Sequence, residues 1–157
     1  MKLSHIDKKG YIKMVDVSSK KITYRKAKAF AKVMMAPTTF KAIISGKVKK
    51  GNVLEAARLA GIMAAKETQK LIPLCHPINI THIQIDIKPV KPKMIEIYTL
   101  VEAYDRTGVE MEALTAAAIC GLTIYDMCKA IDRSMEITGI KLLEKSGGRS
   151  GIYKRKS

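Results

Sequence analysis

The chain has no Trp, only two Phe, and 5% aromatic residues in all. A core built without them is aliphatic, and a sheet that reads nucleic acid by stacking bases on aromatic rings has little to work with. Cysteine is sparse and odd in number: Cys75, Cys120 and Cys128. The short paired spacings of a zinc ribbon are missing, so neither a disulfide framework nor a structural metal is expected. A reducing, cytoplasmic setting suits that usage. Acidic residues are scarce too, with 14 Asp plus Glu against 29 Lys plus Arg and a formal charge of +15. Such a field attracts anions, whether nucleic acid, an acidic membrane or a polyphosphate metabolite. No uncharged run reaches the roughly 20 residues that a membrane helix requires. The opening MKLSHIDKKGYIK carries charges and no apolar stretch of signal-peptide length.

What is present describes one globular domain. The chain has 157 residues, 47% of them apolar, with nine Met padding the interior; that is enough to bury a core unaided. Residues 1–22 are polar and lysine-rich, an expected N-terminal arm, and 23–157 form the single domain. From Thr23, the residues Ala27, Ala29, Ala31, Val33 and Met35 alternate with Lys26, Lys28, Phe30, Lys32 and Met34. That period of two predicts a half-buried strand although alanine alone favours helix. Pro37 ends it, and Thr38 opens a short helical segment to Ile44. Asn52 followed three residues on by Glu55 is a capping-box pattern that starts a helix over VLEAARLAGIMAAKETQKL, closed by Ile72-Pro73. His82–Ile87 and Met94–Val101 alternate strictly and predict two strands, joined by the hairpin loop KPVKPK. Thr107 to Ile131 predicts a second long helix, almost wholly apolar after its first turn, and Ile137–Leu143 a last strand before the glycine-rich KSGGRSG. The order strand, helix, strand, strand, helix, strand is that of an α+β ferredoxin-like (βαββαβ) antiparallel sheet with two helices on one face. Its other face is left to solvent or a partner, so self-association is expected.

Three constellations could carry chemistry. Cations recur around phosphate-friendly backbone: Lys145 and Arg149 in the glycine-rich tail, Lys49 and Lys50 before a helix N-terminus, and Lys20, Lys21 and Arg25 near the first strand. Each alone reads as solvated surface charge; three groups in so small a domain favour an anionic ligand. Pro73-Leu74-Cys75-His76-Pro77 is a stiff loop in which His76 can donate, accept or touch phosphate. Adjacent side chains splay apart, so a thiolate-imidazolium nucleophile does not fit. Asp126 and Lys129 stand at i, i+3 spacing in the apolar AAAICGLTIYDMCKAI, where burial is expected. An acid and an amine so placed are either a structural pair or a proton-transfer site.

HIDKKGYIKMVDVSSK, KGNVLEAARLAGIMAAK, LIPLCHP, TGVEMEALTAAAICGLTIYDMCKAID and LLEKSGGRSG, in this order, resemble the molybdenum-cofactor biosynthesis protein C family, the cyclic pyranopterin monophosphate synthases. The resemblance covers nearly the whole chain. It implies a lyase that converts 3′,8-cyclo-7,8-dihydroguanosine triphosphate to a pyranopterin with a cyclic monophosphate and releases pyrophosphate. It further implies a hexamer, a trimer of dimers, with sites at subunit boundaries. On matching positions Asp126 is the catalytic acid or base and Lys129 its partner. Leu74, Cys75, His76, Met111 and Glu112 contact substrate, and Lys20, Arg25, Lys50 and Lys145 match residues serving the triphosphate. No resident metal or cofactor is implied, although Mg²⁺ could accompany the triphosphate. Asn52 stands where Asp is usual, Arg149 where Lys is usual, and Phe30 where a small residue is usual. The rival class, a nucleic-acid-binding module, is disfavoured because the middle strands carry Ile83, Ile85, Ile95 and Ile97 with Tyr98 the only aromatic. Neither nucleic acid nor membrane is an expected partner; the expected one is a nucleotide-derived small molecule.

Overall fold

The computed structural model describes residues 5–7 and 9–156; residues 1–4 and Lys8 of the expected arm, and Ser157, lie outside them. The order is β1 (Thr23–Met34), α1 (Pro37–Ile44), α2 (Val53–Leu71), β2 (Ile80–Val90), β3 (Met94–Asp105), α3 (Glu110–Cys128), β4 (Glu136–Ser146) and β5 (Tyr153–Lys154). The five strands lie in the order β2-β3-β1-β4-β5 with every pair antiparallel. This is the ferredoxin-like α+β arrangement, extended by the two-residue β5.

The period of two in β1 decides its fate. Ala27, Ala29, Ala31 and Val33 are fully buried beneath the helices, and the small alanines let α3 come close to the sheet. Phe30, on the opposite face, stacks edge-on against Tyr98 with ring centroids 5.1 Å apart. Asn52 caps α2 as predicted, accepting from the Glu55 amide at 3.2 Å. The reciprocal half of the box is not made, because the Glu55 carboxylate pairs with Arg58. Gly61 of α2 allows the two long helices to touch: a Cβ there would collide with Cys120 Sγ and Ile85. Cys120 in turn donates to the Ala57 carbonyl at 3.1 Å.

Two boundaries differ from the sequence reading. Half of the expected KPVKPK loop is strand: β2 runs through Pro89, which pairs with Ile95, to Val90, and the turn is confined to residues 91–93. Proline lacks a donor, but β2 is an edge strand, so a missing outward N–H breaks no ladder. The long helix is shorter than Thr107–Ile131. It begins at Glu110, and beyond Cys128 the chain tightens into turns in which Ile131 and Asp132 amides both reach the Cys128 carbonyl. By length and apolar composition alone α3 would suit a membrane span, yet Ala113, Ala116, Ala117, Cys120, Gly121, Ile124 and Cys128 are buried in this core. Asp132 then clamps the end of α3 to the start of α1, accepting from the Ala36 amide at 2.8 Å and Thr39 Oγ1 at 3.2 Å.

Candidate active site

Antiparallel pairing brings four chain segments to one end of the sheet. Thr23 of β1 pairs with Asp105 of β3, Lys26 with Ser146 of β4, and α3 begins immediately after the β3 turn. There, a cleft of about 740 Å³ is lined by Lys20, Lys21, Arg25, Arg106, Lys145 and Arg149 with the glycine-rich tail. Arg25 is only 8% exposed. Its Nε donates to the Asp105 carbonyl at 3.1 Å and its Nη2 to the Arg106 carbonyl at 3.0 Å, so the guanidinium is rigidly aimed. Gly148 makes room for it, since a Cβ at that position, where φ is +73°, would overlap the guanidinium. Arg106 donates from Nε to the Lys20 carbonyl at 3.2 Å and ties the arm to this turn.

A second cleft of about 450 Å³ adjoins the first and shares Lys20, Thr107, Gly108 and Glu110 with it. Its walls include Leu74, Cys75, His76, Met111 and Glu112, so the structure gathers five of the sequence-predicted substrate contacts into one place. His76 Nε2 lies 2.8 Å from the Val15 carbonyl, which makes that nitrogen the donor and fastens the arm over the loop. Burial raises the Cys75 thiol, with the Glu112 charge adding to it, so a neutral thiol lines the cleft. Glu112 is 3% exposed, and its Oε2 has no hydrogen-bond partner. Burial pushes its carboxyl up to about 7, helped by the Glu110 and Asp105 charges. A carboxyl held near neutrality in a cleft can donate or accept a proton at physiological pH.

The far end of α3 is different. Asp126 Oδ1 lies 2.7 Å from Lys129 Nζ, and Oδ2 lies 2.8 Å from Lys50 Nζ. Lys50 also donates to the Asp126 carbonyl at 2.9 Å. The burial expected for this pair is not found: the Asp126 and Lys129 side chains are 56% and 54% exposed in the single chain. The apolar residues around them divide between two faces of the helix, and the face carrying Asp126 and Lys129, with Leu122 at 52% exposure, turns away from the sheet. Hydrogen bonds from Lys129 and Lys50 hold the Asp126 carboxyl down at about 2, and Asp126 raises Lys129. Asp126 and Lys129 are therefore both charged at neutral pH. Lys50, grouped with the triphosphate cations from sequence, is not in the cationic cleft; it completes this cluster.

Arg106 carries no signal in the sequence beyond its place between a strand and a helix, and the pairing of Lys50 with Asp126 spans 76 positions, too far for any local pattern. Among the described residues, no three of His, Cys, Asp and Glu are grouped to hold a metal ion.

A ferredoxin-like sheet with a rigid cationic cleft opening into a pocket around a buried carboxyl defines an anion-binding α+β protein with acid-base groups at hand. The chain belongs to the MoaC family, whose profile it matches over residues 14–148. It is 54% identical over 153 residues to cyclic pyranopterin monophosphate synthase 1 of Mycobacterium tuberculosis, covering 98% of this chain and 90% of that protein. It is 54% identical over 156 residues to cyclic pyranopterin monophosphate synthase of Parvibaculum lavamentivorans, covering 99% and 98%. A third relative, the synthase of Chloroflexus aggregans, is 52% identical over 154 residues, 98% and 93% of the two chains.

Proposed function

We propose that this chain is a cyclic pyranopterin monophosphate synthase, the lyase of molybdenum cofactor biosynthesis that takes 3′,8-cyclo-7,8-dihydroguanosine triphosphate to the cyclic monophosphate with loss of pyrophosphate. The observation that carries this reading is the junction of the two clefts, cations on one side and a protonatable carboxyl on the other, sharing one wall. Triphosphate sits against Lys20, Arg25 and Lys145, whose charges stabilise the negative charge that grows on departing pyrophosphate. The ring system occupies the pocket of Leu74, Cys75, His76 and Met111, where Glu112 meets its polar edge. Mg²⁺, where present, arrives on the triphosphate rather than on a protein cage.

Asp126, Lys129 and Lys50 supply the remaining acid-base chemistry. As an ionised bridge, Asp126 orients two ammonium groups, and either one can give a proton to substrate and recover it. They cannot serve the clefts of their own chain: Asp126 follows Glu112 by 14 residues, about 21 Å along a helix. In this reading a neighbouring subunit's cluster completes each cleft, and the hexamer implied by the family resemblance, a trimer of dimers, supplies that neighbour. Exposed Leu59, Met63 and Leu122 on the outer faces of α2 and α3 supply apolar surface for such contacts. Three free cysteines suit the reducing cytoplasm where we place it.

Turnover of the cyclic GTP derivative, followed by pyrophosphate release, tests the reading. Wild type turns over and Asp126→Asn loses about 10²- to 10⁴-fold in kcat; no turnover by the wild type, or full turnover by the variant, sinks the assignment or the role of Asp126 respectively.

A further inference from the structure

The first cleft gathers six cations for an anion, yet one carboxylate stands in its wall. Glu110 occupies the first turn of α3, where the helix dipole favours an acid. Its Oε1 lies 3.3 Å from Lys145 Nζ, with relative exposures of 29% for Glu110 and 21% for Lys145. The same Nζ donates to Ser150 Oγ at 2.5 Å. Gly108 is fitted to this acid, for a Cβ there would fall against the Glu110 carboxylate. The dipole accounts for an acid at a helix start; it does not account for one turned into the wall between two ligand clefts. There it repels a bound phosphate and already neutralises part of the lysine that the phosphate would use.

We propose that Glu110 is a built-in competitor for Lys145, a positioning residue that yields the lysine when a phosphate group binds and takes it back as the inorganic product leaves. This rests on the reading of the cationic cleft as a polyphosphate site. Clustered cations without a counter-ion would hold pyrophosphate tightly, and a tightly held product slows each cycle. A partly exposed ion pair is weak enough to exchange for a phosphate and strong enough to compete with one. Ser150 keeps Lys145 in place during the exchange, because its hydroxyl can bond the ammonium whichever anion holds the other side.

Calorimetric binding of inorganic pyrophosphate to wild type, Glu110→Gln, Lys145→Gln and the double variant tests the proposal. Glu110→Gln is expected to bind roughly three- to tenfold more tightly, and the gain is expected to vanish in the Lys145→Gln background. Steady-state turnover of Glu110→Gln should show kcat and KM falling together, the signature of retained product. If Glu110 only props Lys145 in place, the variant binds pyrophosphate equally or more weakly, and the inference fails. Glu110→Asp, which keeps the charge but cannot span the 3.3 Å contact, provides a second arm: it should bind more tightly than wild type by a smaller factor, and weaker binding counts against the proposal. A wild type that binds no pyrophosphate removes the polyphosphate reading and this inference together. A wild type that binds, with variants that gain nothing, removes this inference alone.

Discussion

The two ends of α3 carry the same kind of group in opposite circumstances. At the N-terminal end Glu112 is buried with an unpartnered oxygen and is raised to about 7; at the C-terminal end Asp126 is exposed between two lysines and is lowered to about 2. Burial without a partner favours the neutral acid, whereas pairing in the open favours the anion. One helix therefore presents a proton-bearing carboxyl at one end and a permanently charged bridge at the other. The difference separates two duties: the buried acid can change protonation state near neutral pH, and the exposed one can only orient its neighbours.

The sharpest way to break this comparison is to disable one end in each of two chains. Glu112→Gln and Asp126→Asn should each abolish most turnover alone. Dissociated and reassembled together, they should recover about a quarter of wild-type activity, because half the dimers are mixed and one of two sites in each is intact. No recovery would mean that both ends serve one site within a chain. The next effect concerns stability. The Glu112 carboxyl, with an ordinary value of 4.5, sits at about 7 in the fold. Between those values the folded chain keeps a proton that the unfolded chain has released, so stability falls as pH rises through that window. Glu112→Gln should flatten the slope and gain up to about 3 kcal/mol above pH 7, read by denaturant unfolding at pH 5 and pH 8. Asp126→Asn should leave that profile unchanged. Asp132→Ala removes the clamp between α3 and α1 and should cost about 2 kcal/mol, lowering kcat while pyrophosphate binding at the other end stays the same. Asn52→Ala is the mildest, about 1 kcal/mol for a lost cap, with both ends of α3 unaffected.

What the sequence made legible follows the reach of each interaction. The cap at Asn52, the alternation in β1 and the sequence of elements rest on contacts within a few residues, and these appear in the structure where expected. Pro89 was misread because a proline breaks a strand only when its missing donor matters, and the edge position of β2 is a property of the whole sheet. Burial of Asp126 and Lys129 was misread because apolar neighbours along a helix do not share one face. From sequence Glu112 is a substrate contact implied by the resemblance, and only the fold, which buries it in the wall of the cleft shared with Leu74, Cys75 and His76, reveals its raised pKa. The Lys50 bridge and the Gly148 cradle for Arg25 depend on residues 76 and 123 positions apart, beyond any periodicity.

The edges of the sheet have a further consequence. On one side β2 carries Lys88 and Pro89 near its end, with Lys91 and Lys93 in the turn that follows; on the other, β4 is partly covered by the two residues of β5. Lysines and a proline on one border, and a stub of strand on the other, offer a passing chain few free backbone groups to extend. A single chain is thereby guarded against pairing edge to edge with its own copies and growing into fibres.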